Sequence, residues 1–394
     1  MVPKGWSSVQ AQDVCKSISV GVVIKPTQYY VPEGYGVKAF RSANVREGFI
    51  NDSDWVYFSH EGHAINKKSH LKTGDVLIVR TGYPGTACVV TPEFEGSNAI
   101  DIVIARPDMD KIIPEYLCAY TNSHIGKSQV LDLQGGMAQK HLNVGAYQVL
   151  KINLPPLREQ KKIAQILLTW DNAISVTEKL LTNSQQQKKA LMQQLLTGKK
   201  RLLDERGVRY GGEWHRAELG AVLDYMQPTP YLVDSTDYND SYSIPVLTAG
   251  KSFILGYTNE EHGIYHAPLP AIIFDDFTTD SKFVDFEFKA KSSAMKILTA
   301  KKGVSAKYIF EAMQMLKFKI GGHQRHWISI YSNLVIPIPD AKEQQKIAAV
   351  LSAADAEIST LEKKLACLRD EKKALMQQLL TGKRRVKVDE AVAE

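Results

Sequence analysis

The sequence contains one long segment twice, and this repeat limits the folds that the chain can adopt. KKALMQQLLTG occupies residues 188–198 and recurs unchanged at 372–382, an offset of 184 residues. The similarity extends backwards without a gap, because LREQKKIAQILLTWDNAI (157–174) aligns with AKEQQKIAAVLSAADAEI (341–358) at the same offset. Neither copy contains proline or glycine before the glycine that closes it. Each copy is therefore predicted to be a helix of about forty residues, roughly 60 Å long.

Apolar side chains in both copies recur at alternating steps of four and three residues, the heptad spacing of a coiled coil. The residues assigned to helix pairing are Ile163, Leu167, Ile174, Leu181, Leu191, Leu195, Ile347, Leu351, Ile358, Leu365, Leu375 and Leu379. Lys188 and Lys372 interrupt this seam at equivalent places, which can fix its register. A long helix with one apolar seam must bury it, and the other copy is the nearest partner. We expect an antiparallel pair inside the chain; the alternative is a parallel coiled coil between two copies of the chain.

Two segments of globular composition alternate with the predicted helices. They are not copies of each other, but each mixes strand-like runs with shorter helical patterns and closes with a Gly-Gly loop and an apolar strand that runs into proline. The predicted fold class is α+β, with two mixed α/β domains joined and separated by two long antiparallel coiled-coil helices in an internal pseudo-twofold. The expected order is a first domain at 1–150, a central helix region at 151–207, a second domain at 208–336, a C-terminal helix region at 337–385 and a basic and acidic tail at 386–394.

Composition sets wider limits. Hydrophobic residues at 44% and charged residues at 23% are ordinary for a globular protein, and the formal charge of +6 allows a nucleic-acid partner without requiring one. The sequence shows neither a secretory signal nor an apolar run that approaches the roughly 20 residues needed to cross a bilayer. The four cysteines are scattered without a CxxC pair. Reduced thiols and a cytoplasmic location are therefore expected.

The starts of the two predicted helices carry a family signature. LPPLREQKKIAQILLTWDNAI and IPIPDAKEQQKIAAVLSAADAEI share E-Q-x-x-I-A-x-x-L-x-x-x-D and resemble the specificity (S) subunits of type I restriction–modification enzymes. The phrases FRSANVREGFI (40–50), LKTGDVLIVRTGYPG (71–85) and SIPVLTAG (243–250) are similar to recurring phrases of the target recognition domains of that family. The resemblance covers nearly the whole chain. The second domain departs from it, because it lacks an R-x-A-N-V phrase and reads PVLTAGKSFILGYTN instead.

The resemblance implies a sequence-specific DNA-binding protein without catalysis of its own. Each target recognition domain of such a subunit reads one half of an asymmetric bipartite site on double-stranded DNA, and the helices set the spacer between the halves. The helices also dock two methyltransferase (M) subunits, and two restriction (R) subunits complete the nuclease. The adenine methylation and DNA cleavage of this bacterial or archaeal defence complex then belong to the partners. So do the cofactors, S-adenosylmethionine in the M subunits and ATP with magnesium in the R subunits.

Candidate DNA contacts follow from residue chemistry, because Lys and Arg bind phosphates while forked groups such as Arg, Asn and Gln read base edges. In the first domain they are Arg41, Asn44, Arg46, Lys67, Lys68, Lys72, Arg80, Thr81, Tyr83, Gly136, Gln139, Lys140 and His141. In the second they are Lys251, Thr278, Thr279, Lys282, Lys289, Lys291, Gly322, His323, Gln324, Arg325 and His326. The paired glycines of the two Gly-Gly loops let backbone approach a phosphate closely. For each single residue the alternative is a solvated surface charge.

The two helix starts also supply the residues assigned to partner docking, which are Glu159, Gln160, Glu343 and Gln344. Asp340 with Glu343 forms a D-x-x-E capping pattern at the second helix. We expect changes at these four residues to weaken M-subunit assembly or the helix starts more than the choice of bases.

Enzyme motifs are incomplete throughout the sequence. NLPPL has one residue too many for the motif of amino-methyltransferases, and no F-x-G-x-G cofactor loop and no Walker lysine is present. HEGH and HQRH hold too few ligands for a metal site. We therefore expect no catalytic residue and no metal ligand. The alternatives are the recognition subunit of a methylating nuclease that cuts on both sides of its site, a coiled-coil adaptor without DNA specificity, and a fused methyltransferase, against which the missing cofactor loop argues.

Overall fold

The computed structural model describes residues 2–133, 141–248, 252–316 and 326–388. The chain divides into two compact units, one of Met1–Glu178 with Lys363–Glu394 and the other of Lys179–Glu362. Its helices are α1 (Ala11–Val14), α2 (His60–Ile65), α3 (Pro114–Asn122), α4 (His124–Leu133), α5 (Val144–Gln148), α6 (Leu157–Leu195), α7 (Leu219–Val222), α8 (Ala306–Gln314), α9 (His326–Ser329) and α10 (Ala341–Leu380).

Short strands make up the sheets of both units. Those of the first unit are β1 (Ser7–Gln10), β2 (Cys15–Val20), β3 (Tyr30–Val31), β4 (Gly36–Phe40), β5 (Val45–Arg46), β6 (Phe49–Ile50), β7 (Val56–Ser59), β8 (Val76–Val79), β9 (Ala87–Val89), β10 (Asn98–Ala99), β11 (Ile102–Pro107) and β12 (Lys151–Leu154). Those of the second are β13 (His215–Glu218), β14 (Leu223–Met226), β15 (Ile244–Leu247), β16 (Ile254–Thr258), β17 (Ala271–Asp275), β18 (Ser281–Val284), β19 (Lys289–Ala290), β20 (Met295–Ala300) and β21 (Val335–Ile338).

The long helices α6 and α10 contain 39 and 40 residues, which confirms the length that the repeat predicts. The capping pattern of α10 is present, because Asp340 Oδ1 accepts a hydrogen bond from Glu343 N at 2.9 Å. Both helices end at a left-handed glycine, Gly198 at φ +73° and Gly382 at φ +69°. In both, the N–H two residues later donates to the carbonyl six residues back. This helix end is one that glycine adopts without strain, which explains why the repeat closes on it.

In the first unit the two helix segments run antiparallel. Asp171 of α6 forms an ion pair with Lys372 of α10, and Glu178, further along α6, accepts a hydrogen bond from Arg369 at 2.7 Å. Rising residue numbers in α6 therefore meet falling numbers in α10.

The segments in the second unit show the same direction. Ser184 donates to Glu357 at 2.9 Å, and Lys188 lies 2.6 Å from Asp355. The predicted antiparallel pairing inside one chain is confirmed in each unit.

Burial along the seam follows the ends of the helices. The seam residues that are buried are Ile163, Leu167, Leu195, Ile347, Leu351, Leu365 and Leu379, and the half-buried ones are Ile174, Leu181, Leu191, Ile358 and Leu375. Most of the buried ones lie near a helix end, where they also belong to the core of a domain. The helix ends are thus part of the two cores, and burying their apolar stripe supplies much of the stability of such long helices.

The first unit is built on a four-stranded antiparallel sheet in the order β2-β11-β8-β9. Its core combines this sheet with α3 and with side chains from the start of α6 and the end of α10. A two-stranded antiparallel sheet, β1-β12, pairs the beginning of the chain with the strand that leads into α6. The unit also contains a second four-stranded sheet, β10-β4-β7-β3, and a two-stranded sheet, β5-β6.

The second unit repeats this plan with unrelated residues. Its main sheet has the order β14-β20-β17-β18, and β13-β21 pairs the start of the domain with the strand that leads into α10. The remaining sheet has the order β16-β15-β19. The core takes side chains from the end of α6 and the start of α10. Each core therefore contains one end of α6 and the opposite end of α10.

Candidate nucleic-acid interface

Three residues from distant parts of the chain meet at the base of the first unit, and we name them the first joint (Trp6, Glu159 and Arg385). Trp6 Nε1 donates to Glu159 Oε2 at 3.2 Å, and Arg385 Nε donates to the same oxygen at 3.0 Å. The guanidinium carbon of Arg385 lies 5.7 Å from the centre of the Trp6 ring. A buried carboxylate therefore ties the domain start, the start of α6 and the chain after α10 together.

The second unit has the same arrangement, the second joint (Trp214, Glu343 and Arg201). Trp214 Nε1 donates to Glu343 at 3.0 Å, and Arg201 donates through Nε and Nη2 to both carboxylate oxygens at 2.6 Å. Glu343 is fully buried, and the bidentate hydrogen bond to it raises the pKa of Arg201 above its ordinary value. The two arginines occupy equivalent positions of the repeat, in TGKKR and TGKRR.

The glutamine beside each joint glutamate is also occupied inside the domain. Gln160 Oε1 accepts from Ile113 N at 3.0 Å, and its Nε2 donates to Pro155 O at 2.9 Å. Gln344 Oε1 accepts from Ser305 N at 2.9 Å, and its Nε2 donates to Pro339 O at 2.8 Å. All four residues assigned to partner docking are therefore buried and bonded within the chain.

The candidate residues around R-x-A-N-V form a tightly bonded turn in the first unit. Asn44 is buried, and its side chain accepts from Arg41 N at 2.9 Å and donates to Ser53 O at 2.9 Å. The Arg41 guanidinium lies 2.9 Å from Asp54. Arg46 is exposed, and so are Lys67, Lys68 and Lys72. Asn44 is thus held inside the domain and Arg41 is ion-paired at its surface, while the basic residues beside the turn face solvent.

Arg80, Thr81 and His141 are brought together at the end of β8. Arg80 is mostly buried, donates through Nε to Leu142 O at 2.9 Å, and bonds both Asp101 and His141. Thr81 Oγ1 lies 2.9 Å from His141 Nδ1. The residue that follows the first Gly-Gly loop is therefore fixed to the loop between β8 and β9. Tyr83, in the same loop, is 84% exposed.

In the second unit the histidine that ends the Gly-Gly segment of the sequence is held at the corresponding place. His326 is buried and its Nδ1 lies 2.8 Å from the carbonyl oxygen of Asp276, which follows β17. Thr278 and Thr279 lie in the β17–β18 loop, and Lys282 is half-buried on β18.

Two further candidate lysines of the second unit lie inside the domain or against its surface. Lys289 is buried and ion-pairs with Glu260 at 2.6 Å, whereas Lys291 is half-buried over the ring of Tyr238. Some predicted contacts fall outside the described residues, namely Gly136, Gln139, Lys140, Lys251, Gly322, His323, Gln324 and Arg325.

One group among the described residues has metal-ligand geometry, Asp234 with Glu260 and His262. Glu260 is already neutralised there by Lys289 and accepts hydrogen bonds from the N–H groups of Asp234 and Ser235. We interpret the group as a set of contacts that holds the loop together, because they occupy the Glu260 carboxylate that a cation would need.

The two joints have the same arrangement of side chains, although the two domains that carry them have unlike sequences. The family described as Type I restriction modification DNA specificity domain matches residues 3–183 and 212–368, one stretch for each half of the repeat. The chain belongs to this family.

Individual relatives agree with this membership. The chain is 24% identical over 434 aligned positions to the type I restriction enzyme MjaVIII specificity subunit of Methanocaldococcus jannaschii, covering 98% of this chain and 94% of that one. It is 54% identical over 145 residues to the EcoR124I/EcoR124II specificity subunit of Escherichia coli, a match that spans 36% of this chain and 35% of the relative. The crystal structure of the S subunit of a type I restriction–modification system from M. genitalium has the same fold, with a TM-score of 0.66 at 12% identity and 96% coverage of both chains.

The resemblance seen in the sequence is thereby confirmed. The protein is a DNA specificity subunit of a type I restriction–modification system, a non-catalytic member of its complex, and the cofactors belong to the partner subunits. Among the described residues no helix combines the length and apolar character needed to cross a bilayer.

The residues that complete the joints were not predicted from the sequence. Trp6 and Trp214 lie far from the repeat in the sequence, and Arg201 and Arg385 lie just beyond the identical segment. The signal that could have found them is the continuation of the repeat past its glycine into TGKKR and TGKRR.

Proposed function

We propose that each unit reads one half of an asymmetric bipartite DNA sequence and that α6 and α10 set the length of the unread spacer. The observation that carries this proposal is the pair of equivalent joints, which mount two unlike domains on the same repeated helix ends. Two unlike DNA-reading domains, attached in the same way to the helix ends, fit a site with two different halves. The separation of the halves follows from the geometry of the protein.

The DNA contacts in this proposal fall into two groups. Exposed residues, Arg46, Lys67, Lys68, Lys72 and Thr278, face solvent and can reach phosphates or base edges. The side chains bonded within the units, Arg41, Asn44, Arg80, Lys289 and His326, position the loops that carry such contacts. The Gly-Gly loops remain candidate contacts, supported by the anchoring of the histidine at the end of each.

We further propose that the complex holds two M subunits and two R subunits and works in the bacterial or archaeal cytoplasm, where its DNA is. The domain order at 1–150, 151–207, 208–336, 337–385 and 386–394 remains part of the proposal. Because the four helix-start residues Glu159, Gln160, Glu343 and Gln344 are enclosed, we assign them to holding the helix starts on which M subunits assemble.

The experiment that tests this function is sequencing of methylated DNA from cells that carry the chain with its M subunit. We expect one bipartite, non-palindromic motif with a fixed spacer. A chain that assembles with the M subunit but directs methylation to no preferred sequence would instead be a coiled-coil adaptor.

The proposal that the helices set the spacer length is tested by lengthening both helices at their middle. An insertion of seven residues after Leu180 and after Lys364, equivalent positions of the repeat, preserves the heptad seam and adds roughly 10 Å. We expect the spacer to lengthen by about three base pairs at 3.4 Å each. The matched control carries the insertion in α6 alone, which mismatches the pair. An unchanged spacer in the double insertion would contradict the proposal that the helices set its length.

A further inference from the structure

The loop between β8 and β9 presents an aromatic ring to solvent on a firmly held backbone. Tyr83 is 84% exposed. The loop is closed by hydrogen bonds from Gly85 N to Val79 O at 3.0 Å and from Val79 N to Thr86 O at 2.8 Å. Gly82 and Gly85 on either side have φ of +89° and +84°. The ring thus projects from a turn of defined shape rather than from a loose chain.

A single exposed aromatic residue is common on protein surfaces and by itself indicates nothing. The second unit, however, places Phe277 in the corresponding loop, between β17 and β18, with 46% of the residue exposed. β8 and β17 occupy the same position in the two main sheets, next to the edge strand. The side chain of Asp275 holds this turn by accepting from Phe277 N at 2.8 Å. The two loop sequences, RTGYPGT and DFTTD, differ in length and have only an aromatic residue and threonines in common.

Both loops also contact the histidine that ends a Gly-Gly segment of the sequence. His141 contacts Arg80 and Thr81 beside Tyr83, and His326 contacts Asp276 beside Phe277. In each unit an exposed ring therefore lies within two residues of a contact with the histidine at the end of a Gly-Gly segment, and the proposed function keeps these segments as candidate DNA contacts. Its chemistry suits the faces of bases, since aromatic side chains stack on bases whatever the sequence, and apolar wedges open base steps in bent duplexes.

We propose that Tyr83 and Phe277 are the stacking residues of the two DNA-reading hairpins, each inserting its ring against a base step in the half-site of its own unit. The inference rests on the proposed reading of one half-site by each unit. Because the two positions hold Tyr and Phe, the ring face and not the hydroxyl group makes the contact. The rings position the hairpins on the duplex and favour base steps that open readily.

The test uses the full chain in complex with its M subunits and a duplex that contains the methylated motif. The variants are Tyr83→Ala and Phe277→Ala, with Tyr83→Phe and Phe277→Tyr as conservative partners. Tyr35→Ala, at a residue 72% exposed in the first unit, is the matched control for an exposed ring, and Phe286→Ala serves the second unit. The readouts are affinity and the fluorescence of 2-aminopurine placed at each adenine position other than the methylated one.

We expect each alanine variant to weaken binding by about 5- to 150-fold, the range for loss of one stacked base. Tyr83→Ala should remove the fluorescence change in one half-site only, and Phe277→Ala in the other only. The conservative variants and both controls should bind within about threefold of the unaltered complex.

Three results would overturn the stacking role. If the unaltered complex binds its motif and the alanine variants match it in affinity and fluorescence, stacking is wrong while the proposed function stands. Loss of signal in both half-sites from either variant also rules out one ring per half-site. If the unaltered complex prefers no sequence at all, the proposed function itself fails, and the stacking role with it.

Discussion

Lys188 of α6 lies 2.6 Å from Asp355 of α10, and the residues 184 positions away, Lys372 and Asp171, form the same ion pair in the other unit. Each lysine interrupts its apolar seam, and each faces an aspartate on the other helix. A shift of one helix by a heptad, in the direction that sets the lysines opposite Ala164 and Ala348, would leave these half-buried ammonium groups without a carboxylate partner, at a desolvation cost. The two equivalent pairs therefore disfavour that shift, a role that the sequence suggested only for the lysines.

Reversing one of these pairs should expose its contribution to stability. We expect Lys372→Asp to lower the free energy of unfolding of the first unit by about 1–3 kcal/mol, because it places two carboxylates opposite each other. The double variant Lys372→Asp with Asp171→Lys should recover at least half of this loss. Urea unfolding of the unaltered chain, of both variants and of Asp171→Lys alone provides the measurement.

The matched control for this pair is Lys373→Asp, which makes the same charge change at the neighbouring exposed residue. It should change stability by less than about 0.5 kcal/mol. Losses that simply add in the double variant would show that Lys372 and Asp171 are not coupled.

The second unit should lose stability in acid through Asp355. Partial burial raises the pKa of this carboxyl, but hydrogen bonds from Lys188 and Lys307 outweigh burial and leave the pKa below its ordinary value of 3.8. A depressed pKa contributes stability that is present above pH 3.8 and is lost as pH falls through the folded-state pKa. Thermal unfolding midpoints of the unaltered chain and Asp355→Asn should therefore differ near about pH 6 and converge in acid.

Asp370→Asn is the control for this pH dependence, because Asp370 is exposed on the same helix. Its unfolding midpoint should follow that of the unaltered chain at every pH. A constant gap between Asp355→Asn and the unaltered chain down to about pH 2 would contradict the assignment.

The two joints should differ in strength. Glu343→Ala leaves Arg201 and Trp214 without their buried acceptor, and we expect a loss of about 3 kcal/mol. Glu159→Ala should cost about 1–2 kcal/mol, because the side chain of its partner Arg385 is 42% exposed and solvent screens the pair. Unfolding midpoints measured for both variants give the comparison.

M-subunit assembly separates a structural role of these glutamates from direct docking. We expect the loss of assembly to follow the loss of stability, with Glu343→Gln milder than Glu343→Ala in both. A variant that keeps its unfolding midpoint but no longer binds the M subunit would show that the glutamate contacts the partner.

The glycines that end the two long helices should respond unequally to alanine. Both have positive φ, which costs alanine about 1 kcal/mol. A Cβ at Gly382 would lie 2.3 Å from Pro3 Cγ, whereas one at Gly198 would lie 3.6 Å from the nearest atoms, in Trp214. Gly382→Ala should therefore lower the unfolding midpoint more than Gly198→Ala.

Gly207→Ala isolates the backbone term, since φ there is +77° and a Cβ would meet no atom within 4 Å. We expect it to match Gly198→Ala. Equal losses for Gly382→Ala and Gly198→Ala would show that the chain start yields readily at Pro3.

Much of the architecture could be predicted from the repeat. Heptad spacing, glycine stops and capping residues are local patterns, so α6, α10 and their antiparallel pairing followed from the sequence. The family signature was likewise readable. The short strands of the domains were less accessible, because neighbours across a sheet, such as β8 and β11, come from distant segments.

The candidate site was predictable in composition but not in geometry. Asn44 and Arg80 have side chains that could read bases, yet their polar groups form hydrogen bonds inside the first unit. Glu159 and Glu343 stand at helix starts, where a sequence pattern indicates a cap or a docking site, yet each closes a joint with a tryptophan and an arginine. By itself the sequence determined the two helices, their stops, the alternation of unlike domains and the family. Only the tertiary structure decided which polar groups are enclosed and which face solvent, because burial and hydrogen bonding depend on segments that chain order keeps far apart.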